Sequence, residues 1–250
     1  MTKGGAVCPT AAVGALIKTT LVDFPGRVAA AFFLRGCNMR CPYCYNIGLV
    51  SDFSDSDGLV PLDVLFAHLE KRRHVLSGLV ISGGEPLLNA ATPCIIERAR
   101  ALGLAVKLDT NGTFPDELAA LIENPQLCPD FIAMDIKTAP LRYAQTMYGT
   151  LSSPPTEKIT ARLERSARII ASLAPTAREW RTVLVPPLVQ ESDIAAMAQL
   201  LPHDASWQFA QFRNENCIDP QYDNIPPYSD TAAHELVTYA RTFIPGAALR

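Results

Sequence analysis

Three cysteines fall within eight residues, in Gly36-Cys37-Asn38-Met39-Arg40-Cys41-Pro42-Tyr43-Cys44, so that one short loop can wrap a metal centre. Thiolates are soft ligands suited to iron–sulfur clusters and to zinc. Three of them on a four-iron cubane leave one iron without a protein ligand, and an open position is what a catalytic metal site needs. Zinc would require a fourth ligand from elsewhere: the nearest downstream histidine, His68, lies 24 residues after Cys44, and Cys8 would have to fold back. Of the seven cysteines, Cys8, Cys94, Cys128 and Cys217 are scattered singly. An odd, clustered set favours metal ligation in a reducing compartment, and the four scattered ones read as small apolar residues.

Other short segments carry polar groups at spacings that suit a ligand site. In Ser82-Gly83-Gly84-Glu85-Pro86 two glycines permit close backbone approach and Glu85 supplies an anion; alone, such a run is a turn opening a helix. Asp109-Thr110-Asn111-Gly112 is, by itself, a strand running into a polar turn. Met134-Asp135-Ile136-Lys137 puts opposite charges two residues apart, hence on one strand face. A buried ion pair kept only for stability is poorly rewarded, because desolvation offsets much of its attraction; a zwitterionic ligand gives the pair a better reason. The alternative is that Lys137 lies past the strand end, in solvent. Arg181, Val183 and Val185 share a later strand face, where a lone arginine is ordinarily an ion-paired rim residue. Gln211 is a weaker candidate on the last strand.

The elements that must position these residues alternate from Arg27 onward. Strand-type runs occur at 27–34, 79–82, 105–109, 131–137, 180–185 and 207–212, the pattern of βα units and a largely parallel sheet. Between them, Leu62, Leu65, Phe66 and Leu69, then Ile95, Ile96, Ala99 and Leu102, then Ile159, Leu163, Ala167 and Ile170 fall at helical spacing. Residues 193–201 and 231–243 supply two more helices. Lys71, Arg72, Arg73 and His74 read as a helix end, where cations complement the dipole. Six units are too few for a closed eight-unit barrel, leaving an open partial barrel or a doubly wound layer; in both, ligands gather at the carboxyl ends of the strands. Residues 51–57 read as an exposed connection.

With 250 residues, 48% of them hydrophobic, the chain can bury roughly 70–75% of its unfolded surface. No Gly/Ser linker divides it, so one domain is expected over 1–250, with a lead-in (1–26), a core (27–213) and a C-terminal segment with a helix (214–250). A net charge of −3 without a basic stripe offers no general attraction to nucleic acid or anionic membrane. With neither a secretory signal nor an apolar run of membrane length, the expected location is the cytoplasm.

Taken together, the cysteine loop resembles the C-x3-C-x2-C motif of radical S-adenosylmethionine (SAM) enzymes, including an aromatic residue, Tyr43, before the last cysteine. The resemblance implies a partial (β/α)6 barrel with a mostly parallel sheet, a [4Fe–4S] cluster on Cys37, Cys41 and Cys44, and SAM on the open iron with its adenine near Tyr43. Gly83, Gly84 and Glu85 match the motif that receives SAM's ammonium; Asp135 and Lys137 match one that contacts its methionine portion. Asp109-Thr110-Asn111-Gly112 resembles the DTNG of enzymes that activate glycyl radical proteins, implying that Asp109 and Thr110, with Met134, place a monovalent cation beside SAM. In the same comparison Val183 borders SAM and Arg181 the peptide substrate. Leu16–Gly26 resembles the lead-in of anaerobic ribonucleoside-triphosphate reductase activating proteins. The implied activity is reductive SAM cleavage to a 5′-deoxyadenosyl radical that installs a glycyl radical on a partner enzyme, with a flavodoxin- or ferredoxin-type electron donor. Tyr45 departs from the histidine common at that position, and Pro187 from a glycine. A radical SAM enzyme acting on a small molecule or another peptide, and a non-enzymatic metal-binding protein, are the alternatives.

Overall fold

The computed structural model describes residues 8–9, 12–50 and 58–250; the connection expected at 51–57 lies outside them. The chain forms a mostly parallel, mixed sheet with helices and groups into two compact units.

The first unit comprises the described residues up to Asn38, with Gly48–Thr110 and Asp116–Ile132. Its strands are β1 (Val13–Thr20), β2 (Ala29–Leu34), β3 (Leu59–Pro61), β4 (Gly78–Gly83) and β5 (Ala105–Thr110), in the order β3-β1-β2-β4-β5. β2, β4 and β5 are parallel neighbours, and β2 reads Ala-Ala-Ala-Phe-Phe-Leu with nearly every residue buried, as expected of a strand covered on both faces. The lead-in holds a strand that periodicity did not reveal: β1 pairs antiparallel with both β2 and β3. Its exposed half, Ile17, Lys18 and Thr19, dilutes any apolar alternation.

A short turn, α1 (Ile47–Val50), follows the cysteine loop, and α2 (Leu62–Arg72) and α3 (Thr92–Ala101) come next. In α2 Leu62, Leu65 and Leu69 are buried, and Lys71 and Arg72 occupy the last turn as expected. α4 (Pro115–Glu123) is a further helix that the apolar stripes in the sequence do not mark. On α3, Cys94 is joined to Cys8 as a disulfide across 86 residues, which corrects the reading of both as isolated apolar residues.

β6 (Phe131–Asp135) begins in the first unit. The second unit comprises Met39–Ile47, Asn111–Pro115 and Ala133–Arg250. Here β7 (Arg178–Leu184), β8 (Trp207–Gln211) and β9 (Ala247–Leu249) are parallel neighbours; β9 is too short for a periodic signal. Its helices are α5 (Tyr143–Thr146), α6 (Thr156–Ala171), α7 (Glu191–Ala198) and α8 (Asp230–Arg241). The α6 stripe Ile159, Leu163, Ala167 and Ile170 is wholly buried. α7 begins before the expected residue 193 because Gln190 and Asp193 form a reciprocal capping box. Trp207 Nε1 donates to Thr182 Oγ1 (2.9 Å), and Thr182 Oγ1 donates to the Ile136 carbonyl (2.8 Å), fixing β7 against the end of β6. No helix among the described residues is long and apolar enough to cross a membrane.

Candidate functional site

In the first unit the Gly83-Gly84-Glu85 turn is strapped to the end of β2, just before Cys37. Gly84 N–H donates to the Leu34 carbonyl (2.9 Å), and Glu85 N–H to the Gly36 carbonyl (2.8 Å). A Cβ on Gly84 would strike the Gly36 carbonyl, and one on Gly83, where φ is +119°, would strike the Leu34 backbone. The glycines are therefore demanded by two backbones in contact, whatever else the turn does. Glu85 is 1% exposed. Its Oε1 accepts from Leu87 N–H (3.0 Å), capping the following turn, and from Thr110 Oγ1 (2.9 Å) at the end of β5. Two residues before Asp109, on the same face of β5, Lys107 donates from Nζ to Asp109 Oδ1 at 2.7 Å.

In the second unit the rest of the cysteine loop is held by its carbonyls. Cys44 N–H donates to the Cys41 carbonyl (3.0 Å), while Asp219 N–H reaches the Pro42 carbonyl and Ile218 N–H the Cys44 carbonyl, each at 2.9 Å. Cys41 is buried, and Cys37 and Cys44 are half-buried. Among the described residues, no group of three or more His, Cys, Asp or Glu is placed to hold a metal ion; in a four-iron cluster, each thiolate would instead take its own iron. Tyr43 is buried, with its ring edge-on to Phe212 at 6.4 Å. Burial pushes its phenol pKa well up, against the opposing pull of Lys137.

Residues 218–219 carry no signature in the sequence, because they anchor the loop through backbone groups. Asn216, with φ +53°, is the one local sign of a forced turn. Cys217 does behave as expected: burial first, then the Asp223 carboxylate, push its pKa up to about 12, keeping it a thiol.

The strand end around Asp135 corrects one expectation. β6 stops at Asp135; Ile136 N–H goes to the Arg181 carbonyl (2.8 Å) and Lys137 N–H to Tyr143 Oη (2.7 Å). Lys137 thus lies past the strand, yet it is not solvated: its side chain is 18% exposed and its Nζ lies 3.4 Å from Asp135 Oδ2. Arg181 Nε donates to Asp135 Oδ1 at 2.8 Å. Burial disfavours the Lys137 ammonium, but Asp135 chiefly, followed by Tyr43, Cys41 and Tyr143, holds its pKa well above the usual lysine range. Met134 is buried with its methyl against Gly112. Val183 is half-buried on β7, in register with Ala210. At the end of β8, Gln211 Nε2 donates to the Tyr228 carbonyl (3.2 Å), while its buried Oε1 has no hydrogen-bond partner among the described residues, the kind of orphan that a bound ligand satisfies.

A family model described as the radical SAM superfamily matches residues 32–174, more than half of the chain. A protein of Methanocaldococcus jannaschii, provisionally named a glycyl-radical enzyme activating enzyme, is 28% identical over 245 residues, covering 96% of each chain. The 7-carboxy-7-deazaguanine synthase of Rhodospirillum rubrum is 36% identical over 91 residues, 36% of each chain. In fold, the crystal structure of QueE from Escherichia coli matches with a TM-score of 0.53 at 17% identity, covering 93% of this chain and 91% of that one.

Proposed function

The chain belongs to the radical SAM superfamily, and we propose that it carries a [4Fe–4S] cluster on Cys37, Cys41 and Cys44 and installs a glycyl radical on a partner enzyme. The observation that carries the finer reading is the similarity to the M. jannaschii protein over 96% of both chains. When bound, the cluster and SAM supply one-electron cleavage of the sulfonium, giving the 5′-deoxyadenosyl radical that takes a hydrogen atom from the partner's glycine.

The chain's own residues bind and orient. Tyr43, buried and edge-on to Phe212, offers an apolar wall to the adenine. Gly83 and Gly84 bring bare backbone to the ligand, and Glu85 supplies a carboxylate for the SAM ammonium. Asp135, Lys137 and Arg181 together carry one net positive charge, which suits the methionine carboxylate. Because its pKa is raised, Lys137 keeps that charge throughout the working pH range. Val183, half-buried on β7, offers a methyl surface to SAM, and Gln211 Oε1 provides an acceptor awaiting a donor. In this reading the partner is a glycyl radical enzyme such as anaerobic ribonucleoside-triphosphate reductase, and the donor is a flavodoxin or ferredoxin.

A second reading, action on a small molecule, draws support from the deazaguanine synthase similarity. Anaerobic reconstitution, reduction and addition of SAM should yield iron, sulfide and 5′-deoxyadenosine from the wild type and no 5′-deoxyadenosine from Cys41→Ala. Zinc in place of iron would refute the cluster. Mixing with candidate reductases then separates the two readings: a glycyl radical in the electron paramagnetic resonance spectrum supports the first, whereas 5′-deoxyadenosine turnover with a small molecule and no protein radical favours the second.

A further inference from the structure

Lys107 is 1% exposed, a rare state for a lysine. It sits on β5 in register with Val80 of β4, and its ammonium donates to Asp109 Oδ1 at 2.7 Å. Because the two residues are i and i+2 on one strand, their side chains leave the same face. Asp109 is the carboxylate to which the DTNG resemblance assigns a monovalent cation. With the ammonium already in contact, a second cation there would either displace Lys107 into an apolar interior or sit beside it as a like charge; both are unfavourable in a site from which water is excluded. Asp109 and its neighbourhood therefore do not fit a potassium or sodium ion.

We infer that Lys107 is a built-in cation: its ammonium supplies on Asp109 the positive charge otherwise expected of a bound monovalent ion, so SAM binding is independent of potassium and sodium. The inference rests on the SAM reading above. Lys107 is then a positioning residue that acts through Asp109.

The test compares buffers of equal ionic strength made with tetramethylammonium chloride or with potassium chloride, using reconstituted protein. Two readouts are taken: SAM affinity by equilibrium dialysis, and melting temperature without SAM. Wild-type affinity should agree within about twofold between the salts, whereas Lys107→Met should bind SAM about tenfold more tightly in potassium and melt at higher temperature there. A wild-type affinity that rises about tenfold with potassium, or a wild-type melting temperature that rises specifically with potassium, would overturn the inference, even if the variant does not fold. If the wild type binds no SAM in either salt, the SAM reading fails, and the melting temperatures still report separately on Asp109.

Discussion

Two charged groupings use the same residue types at the same spacing and come out differently. Lys107-Leu108-Asp109 on β5 forms a buried pair, with side chains 1% and 11% exposed. Asp135-Ile136-Lys137 at the end of β6 recruits Arg181 as well, and its three side chains are 33%, 18% and 21% exposed. The first is neutral and dry; the second has one surplus positive charge and access to solvent. A buried pair of opposite charges holds structure, whereas a surplus charge at a strand end can be completed by an anion. Spacing alone does not make a binding site; net charge and access do.

The largest expected effect comes from breaking the dry pair. Lys107→Met in potassium-free buffer leaves a buried carboxylate without its ammonium and should cost about 3–5 kcal/mol of unfolding free energy, measured by urea denaturation. Lys107→Met combined with Asp109→Leu should recover most of that loss, since an apolar pair can replace a buried ion pair at little cost. A Lys107→Met loss no larger than that of Lys137→Met would erase the contrast. For the open grouping the order reverses: Lys137→Met should cost only about 1 kcal/mol of stability but weaken SAM binding by about 10- to 100-fold, the worth of a hydrogen bond to a charged group. Arg181→Gln should weaken SAM binding less, by about threefold to tenfold, because Lys137 remains while Asp135 loses one partner.

The smallest effect is at high pH. Lys137 has a folded-state pKa above its unfolded value, so its stabilisation is complete below the ordinary lysine pKa, about 10.4, and is lost as pH rises through the raised one. Lys137→Met should flatten that alkaline limb in denaturation measured from pH 9 upward; an unchanged slope would show that Lys137 gains nothing from Asp135.

The six strand runs from Arg27 onward and the α2, α3 and α6 stripes were legible because repetitive apolar spacing records which face is buried. β1, β3 and β9 were not. Two of them have only three residues, and β1 has an exposed half, so only their pairing partners identify them. The motif residues were legible by type and order, but the state of Lys137 was not: a reading confined to the strand offered inward or solvated, and the fold chose a third outcome, past the strand yet paired with Asp135.

The sequence by itself determined the chemistry on offer: three thiols in one loop, a Gly-Gly-Glu turn, and Asp-x-Lys, all set by covalent neighbours a few residues apart. Tertiary structure alone decided who meets whom across long separations. It placed the backbone of 218–219 on the cysteine loop's carbonyls, Cys8 on Cys94, and Arg181 beside Asp135. Such contacts depend on the burial and registry of whole elements, and no local run of residue types encodes them.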